Sequence, residues 1–469
     1  MTWAWQSPPV VTPPPPAAAE PSMLSRLGVF EGYIGVLIVS FCVACLVTPI
    51  FRRLAIANGV IDRPNERKVH RQPVAYLGGA AVYLGLLAGV FYSYLSIKFT
   101  SLIEYHPSKH LAQYEDGTLL PVPISVVLGM TVIMLVGVID DVTGISPRVK
   151  IGGQLFAAAA LAVSDVGVKL AAGVLVPTFK AMGVATTLVA GFETVIINIP
   201  LPFEVGGTSS IGIDVIYWVG TGVIAIGVLG LCNASNLIDG LDGLLSGTTA
   251  ISSIGLLVVA LGLAVVDDGP RDAQRIILCL AVLGACLGFL PHNFNPATIF
   301  LGDAGSLLLG FMTCVIIMML GDTGKTHLVA AGLIIYALPI IDTTLAIVRR
   351  KLEGKPISAA DDQHLHHMLK RSLGVKGAVL ALYGIAATFA VLGASITLIR
   401  ARGIYFLALL IAAYIGVTAI KLSRKRAHEA QMAAREAKVA AGLAAPHPAE
   451  PGAPAPTPPE SAGGAASKA

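Results

Sequence analysis

The feature that leaves this chain the fewest options is a series of apolar runs, each near the length of a bilayer crossing, recurring from Tyr33 to Lys421. In lipid the backbone must satisfy its own hydrogen bonds, so a chain built from such runs folds as a bundle of helices. The runs lie at about 33–51, 76–96, 122–140, 151–164, 213–232, 244–264, 275–291, 305–321, 328–348, 376–398 and 403–421. The expectation is an all-α polytopic membrane protein of about eleven transmembrane helices. Composition agrees, because only 13% of the 469 residues are charged, against roughly a quarter in a soluble domain. The formal net charge is +4. The basic residues sit in short clusters between the apolar runs, which suits topology and anionic ligands and argues against nucleic acid as a partner.

Two tails flank this region. Residues 1–30 include Pro13-Pro14-Pro15-Pro16 and lack a basic start, so they read as a disordered lead rather than a signal peptide. Residues 422–469 read as a largely disordered tail, rich in Ala, Pro and Gly from about Ala444. The spans between them, 31–421, read as one membrane-embedded domain, with a homodimer as an open alternative to a lone chain. Asp165–Asp214, broken by Pro177, Pro200, Pro202 and Gly206-Gly207, reads as an extracytoplasmic excursion containing a hairpin, with a pair of re-entrant or spanning segments as the competing view. All six cysteines lie in or beside apolar runs and read as packing residues.

Loop charge sets the expected orientation. Residues 52–75 hold Arg52, Arg53, Arg63, Arg67, Lys68 and Arg71, and residues 349–375 hold Arg349, Arg350, Lys351, Lys355, Lys370 and Arg371. Loops of the other parity are poorer, which puts the N-terminus outside and the C-terminus in the cytoplasm. The same parity sends every unusual polar cluster to the cytoplasmic face.

Those clusters carry the chemistry. Asp140-Asp141 ends an apolar run, and adjacent carboxylates at a membrane boundary call for a cation or a basic partner. Arg148 and Lys150 follow closely and suit phosphate oxygens. Asn233, Asn236, Asp239 and Asp242 recur every three residues and so share one slowly drifting helical face. Their amide and carboxylate oxygens are hard ligands of the kind magnesium takes. Asp303, in Gly302-Asp303-Ala304-Gly305-Ser306, would alone read as a helix N-cap. Beside the other acids on that face it reads as a metal ligand or catalytic carboxylate. His364, His366 and His367 invite a zinc reading, but adjacent His366 and His367 do not readily face one ion from a regular helix and no cysteine lies nearby. With Arg349, Arg350 and Lys355 upstream, they read as contacts to a sugar diphosphate. Arg67, Lys68 and His70 in the first loop suit an anionic headgroup at the bilayer surface.

In order, from about Asn58 to Arg371, these motifs resemble the polyprenyl-phosphate N-acetylhexosamine-1-phosphate transferase family. The resemblance rests on Asp62-Arg63-Pro64-Asn65-Glu66-Arg67-Lys68-Val69-His70 with Gly78-Gly79, on Asp140-Asp141 with Lys150, on Asn233 to Gly243, on Gly302 to Ser306 and on His364-x-His366-His367. It implies magnesium-dependent transfer, with manganese as an alternative ion, of a sugar 1-phosphate from a UDP-N-acetylhexosamine to polyprenyl phosphate, releasing UMP. It also implies a multi-pass place in the bacterial inner membrane. By motif position, Asn236 and Asp303 resemble metal-binding residues and Asp140 and Asp141 catalytic ones. Asp239 and Asp242 would serve the nucleotide or the metal shell, and Asn233 stands in the same substrate-facing segment. His364, His366 and His367 resemble sugar-diphosphate contacts. The histidine loop is similar to that of the branch using UDP-N-acetylglucosamine; a phospho-MurNAc-pentapeptide transferase is the alternative within the class. A secondary transporter is the rival of another class, and it expects acids near the membrane midplane and an internal repeat.

Overall fold

A computed structural model describes residues 32–62, 73–99, 102–103, 120–189, 192–205, 208–266, 271–322, 324–352, 354, 356, 364–399, 407–418, 420–421, 432–433 and 436–437. The expected N-terminal lead and most of the 422–469 tail therefore lie outside the described residues. Met1–Gly416 forms one compact unit, and Val417–Ala469 is a second, sparsely described one.

The chain builds helices α1 Ile34–Ala57, α2 Gly78–Lys98, α3 Ile124–Thr143, α4 Pro147–Val163, α5 Ala172–Ala181, α6 Val215–Ile238, α7 Leu244–Val265, α8 Asp272–Asn293, α9 Gly302–Leu320, α10 Thr326–Ile335, α11 Ala337–Leu352 and α12 Leu365–Ile399. A shorter apolar helix, α13 Leu407–Thr418, follows. Eight of the described helices are long and apolar enough to cross a membrane, and ten spans result if each of two bent pairs counts as one. The chain is thus an all-α multi-pass membrane protein, with a count short of the eleven expected. Of the eleven expected runs, those at 151–164 and 328–348 fall in the two bent pairs, and the one at 403–421 is only partly described. The run at 328–348 is broken between α10 and α11, which meet at 79° with Pro339 in the first turn of α11. The last run contributes only twelve residues of described helix, α13.

Helix α9 is the axis of the bundle. It touches α2, α3, α6, α7, α8 and α10, and 94% of its apolar window is buried, against 22% in the peripheral α1. A helix apolar on every face belongs in such a position. Peripheral helices instead turn Ile34, Leu46, Ile50, Leu128, Leu135 and Ile226 outward, which is the surface a lipid solvent accepts. Close crossings use small residues. A Cβ on Gly79 would collide with the backbone of Gly305, and one on Gly137 with Ala304, so α2 and α3 both lie tight against the start of α9.

Among the described residues the strands form three antiparallel pairs. Strands β1 Ile61–Asp62 and β2 Val74–Ala75 pair beside the start of α2. The 165–214 excursion holds a 3-10 turn, α5, the pair β3 Thr187–Val189 with β4 Phe192–Thr194, and the hairpin β5 Ile196–Val205 with β6 Thr208–Asp214. Its second half is thus built of hairpins, while Val168–Ala181 forms with α4 a pair bent by 80° that is apolar enough for a broken span or a re-entrant loop. Asp214 then caps α6 by accepting from the Tyr217 N–H at 3.0 Å.

Candidate active site

The polar clusters meet at one end of the bundle, where α3, α6, α8 and α11 finish and α4, α7, α9 and α12 begin. The connection into α9 is pinned first. The Phe300 N–H donates to the Ala75 carbonyl, and the Gly78 and Gly79 N–H groups donate to the carbonyls of Phe300 and Leu301. Gly302 then turns with φ +72°, a conformation that favours glycine. A Cβ there would also collide with the Asp141 carboxylate. That space lets the Asp141 oxygens accept the Asp303 N–H at 2.7 Å and the Ala304 N–H at 3.1 Å. Asp141 thereby satisfies two of the free N–H groups at the start of α9 and aims the Asp303 side chain.

Asp303 is the hub. One oxygen accepts the Asn236 amide at 2.8 Å, and the other meets the Lys150 ammonium. Lys150 also contacts Asp140 at 2.6 Å, so one cation bridges α3, α4 and α9. Asn236 donates as well to Ser306 at 2.9 Å. One turn on, Asp242 accepts from the Asn295 amide at 2.8 Å and from the Ala297 N–H at 3.0 Å.

These groups border a cavity of about 290 Å³ whose lining includes Asp62, Tyr76, Asn236, Asp239, Asp242, Phe300, Asp303 and His367. Four aspartates face it, and no lysine or arginine does among the described residues. Asp239 feels this most: burial and the carboxylates of Asp303, Asp141 and Asp242 push its pKa up to about 8. The Tyr76 phenol is likewise pushed well above its usual range, first by burial and then by Asp62. Its ring meets Phe300 edge-on, with centroids 5.9 Å apart.

The residues singled out from sequence separate into groups. Asn236, Asp239, Asp242, Asp303 and His367 line the cavity. Asp140, Asp141 and Lys150 back it through Asp303. Asn233 is turned away from it, donating to Gln154 of α4 at 2.9 Å, and Arg349 is buried on the last turn of α11. His364 and His366 are buried beside Asp342 rather than facing the cavity. Arg67, Lys68 and His70 lie outside the described residues. Sequence reading passed over two participants. Tyr76 carried a signal in standing just ahead of Leu77-Gly78-Gly79, and Gln154 carried one as a polar residue four positions after Lys150 in an apolar helix.

Comparison with known proteins settles the family. Residues 123–321 match the profile described as Glycosyl transferase family 4. The probable undecaprenyl-phosphate N-acetylglucosaminyl 1-phosphate transferase of Bacillus subtilis (strain 168) is 31% identical over 362 residues, spanning 76% of this chain and 82% of its own. The chain belongs to glycosyl transferase family 4. A further relative is the decaprenyl-phosphate N-acetylglucosaminephosphotransferase of Mycolicibacterium smegmatis (strain ATCC 700084 / mc(2)155), 31% identical over 71% of this chain and 74% of its own. The undecaprenyl-phosphate alpha-N-acetylglucosaminyl 1-phosphate transferase of Escherichia coli (strain K12) is 25% identical over 72% of this chain and 79% of its own. As a family 4 member the chain is a transferase. Its matched segment contains Asp140, Asp141, Lys150, Asn236, Asp239, Asp242 and Asp303, while Asp342 and the histidines lie beyond it.

Proposed function

We propose that the chain transfers N-acetylglucosamine 1-phosphate from its UDP-linked form to undecaprenyl phosphate at the cytoplasmic face of the bacterial inner membrane, releasing UMP and starting a lipid-linked envelope glycan. The observation that carries this reading is the meeting of Lys150, Asp140, Asp303, Asn236, Asp239 and Asp242 around one cavity at a helix-bundle end. A lipid acceptor reaches such a place from the bilayer and a soluble nucleotide reaches it from water. The relatives' names, each carrying N-acetylglucosamine, support this donor over a phospho-MurNAc-pentapeptide. The cavity acids Asp62, Asp239, Asp242 and Asp303 lie at one end of the bundle rather than midway along the spans, which speaks against a transporter.

In the reaction an acceptor phosphate oxygen attacks the sugar-bearing phosphorus of the donor. The bond from that phosphorus to the bridging oxygen breaks, and the oxygen leaves on UMP. Two anions must approach each other, so neutralising charge is the main task. The donor set fits magnesium: Asp303, Asp239 and the Asn236 side chain offer hard oxygens on one cavity. Asp303 with Asn236 would hold the ion, which would supply charge neutralisation on the phosphates. Lys150, already between Asp140 and Asp303, adds a fixed positive charge behind them. Asp141, with both oxygens on N–H groups of α9, serves to fix Asp303.

The test is UMP release by purified full-length protein given undecaprenyl phosphate and UDP-N-acetylglucosamine, with magnesium and with chelator. Release that requires the lipid and the ion is the expected result. Release with a different UDP-sugar alone would move the donor, and release without added ion in chelator would remove magnesium.

A further inference from the structure

The histidine segment contains a device that the transfer chemistry does not by itself require. Asp342 sits mid-way along α11, fully buried. One of its oxygens accepts the Leu365 N–H at 2.7 Å, satisfying a free donor at the first turn of α12. The other lies 2.8 Å from His364 Nδ1. A carboxylate only accepts, so the His364 Nδ1 carries the hydrogen in this contact.

The neighbouring rings follow from that anchor. His366 stacks on His364 at 5.4 Å between centroids and 15° between planes. Its Nδ1 also faces the Asp342 carboxylate, at 3.7 Å, beyond hydrogen-bond length. On its other edge His366 Nε2 fills the space beside Gly240, where a Cβ would collide with it. Gly240 stands between Asp239 and Asp242 of the cavity wall. His367, 4.2 Å from His366 between centroids, is the member of the three that reaches the cavity. One buried carboxylate thus fixes a start of helix, the hydrogen on His364 Nδ1, and through them the place of a cavity residue.

We propose that Asp342 is a positioning residue for the sugar-donor end of the cavity, holding His364 and the first turn of α12 so that His366 abuts Gly240 and His367 enters the site. The inference rests on the transfer reaction proposed above. Two acceptor oxygens are what the arrangement needs. An asparagine has one, so Asp342→Asn must either lose the Leu365 N–H bond or force the hydrogen off His364 Nδ1.

The experiment compares full-length wild type, Asp342→Asn, His364→Ala and His364→Asn, measuring kcat and KM for UDP-N-acetylglucosamine and for undecaprenyl phosphate separately. Asp342→Asn and His364→Ala should each raise the donor KM by about tenfold or more, with the acceptor KM within about twofold. His364→Asn, whose amide N–H stands where Nδ1–H stood, should recover most of the donor KM. The double variant Asp342→Asn/His364→Ala should be no worse than the poorer single one by more than about twofold, because the two act as a unit. A second reading does not depend on turnover: diethyl pyrocarbonate modification, mapped by mass spectrometry. His364 and His366 should resist it in wild type and in His364→Asn the remaining His366 should still resist, whereas Asp342→Asn should expose both.

An unchanged donor KM, equal losses for both substrates, or continued protection of both histidines in Asp342→Asn would overturn the proposal. Stoichiometric zinc in wild type that is lost in Asp342→Asn would also overturn it, by making Asp342 a metal ligand. If wild type releases no UMP from any UDP-sugar, the reaction reading fails, and the modification pattern alone still decides whether Asp342 positions the histidines. Should Asp342→Asn fail to fold, the His364→Ala and His364→Asn pair carries the test.

Discussion

The two ends of the helix bundle handle buried charge in opposite ways. At the end bearing the hairpins, acids and bases pair off: Arg271 with Asp322, and Arg275 with Asp272 at 2.7 Å. Asp322 also takes the Gly167 N–H at 2.9 Å, and Arg271 reaches the carbonyls of Ser164 and Asp165. At the other end four aspartates line a cavity, and the nearest cation in a described ion pair, Lys150, stands behind one of them. The first end holds its charges as ion pairs, whereas carboxylates gathered around a cavity concentrate negative charge that a bound cation would offset. The contrast separates a structural clamp from a working site without reference to any ligand.

Substitutions at the cavity end should therefore damage turnover far more than folding. The largest effect is expected from Asp303→Asn, which keeps the side-chain volume and removes the charge shared by Lys150 and Asn236. Turnover should fall by at least about 10³-fold, the scale of losing a central electrostatic group. UMP release per folded molecule checks it, and a wild-type rate would remove Asp303 from the mechanism. Lys150→Met comes next. It leaves Asp140 and Asp303 facing each other with no cation between them, and about a 10²-fold loss is expected under saturating substrates. If added magnesium in excess restored the full rate, Lys150 would be only a counter-charge for the empty site.

How much of this was readable in the chain depends on whether the signal was local. Apolar length is local, and the runs at 122–140, 213–232 and 305–321 overlap helices α3, α6 and α9, with α6 continuing six residues beyond its run. The break between α10 and α11 was masked by hydropathy, which runs unchanged through Tyr336 while the backbone turns 79°; Pro339 was its local signal. The spacing of Asn236, Asp239 and Asp242 gave a shared face, and these three do line the cavity, whereas Asn233, one step earlier in the same series, rotates to Gln154. Helix α6 ends at Ile238, so Asp239 and Asp242 reach the cavity from the turn that follows rather than from one helical face with Asn236. Asp342 lies on α11 and His364, 22 positions later, just ahead of α12, so no window on the sequence could pair them. Likewise, three histidines looked like one ligand group, and only packing against Asp342 and Gly240 divides them into two buried rings and one that faces the cavity.

The comparison also sets a pH dependence. With its pKa raised from 3.8 to about 8, Asp239 holds a proton in the folded metal-free site through a range where the unfolded chain has lost it. The folded state thus binds more protons between those values, and stability must fall as pH rises through that window. Magnesium opposes the same crowding. Thermal melts in chelator should drop from pH 6 to pH 9, and magnesium should raise the midpoint more at pH 9 than at pH 6. A magnesium effect that is equal at both values would detach Asp239 from the ion.

The smallest effect on turnover is expected at the hairpin end, from Asp322→Asn. There the carboxylate balances Arg271 and accepts the Gly167 N–H, tying the end of α9 to the turn after α4. Asparagine can keep one of those bonds but not the charge. Removing one member of a buried pair leaves the other uncompensated, at a cost of up to about 3–5 kcal/mol, reduced here because Arg271 retains two carbonyl partners. The melting midpoint should fall by several degrees, while UMP release per folded molecule stays within about twofold of wild type. The reasoning is that α9 is buried along its length and its far end is fixed independently by Asp141, Gly302 and the bonds to Gly78 and Gly79. A large loss of turnover in folded Asp322→Asn would mean that α9 transmits the state of one end to the other, and the two ends would have to be treated as a single coupled system.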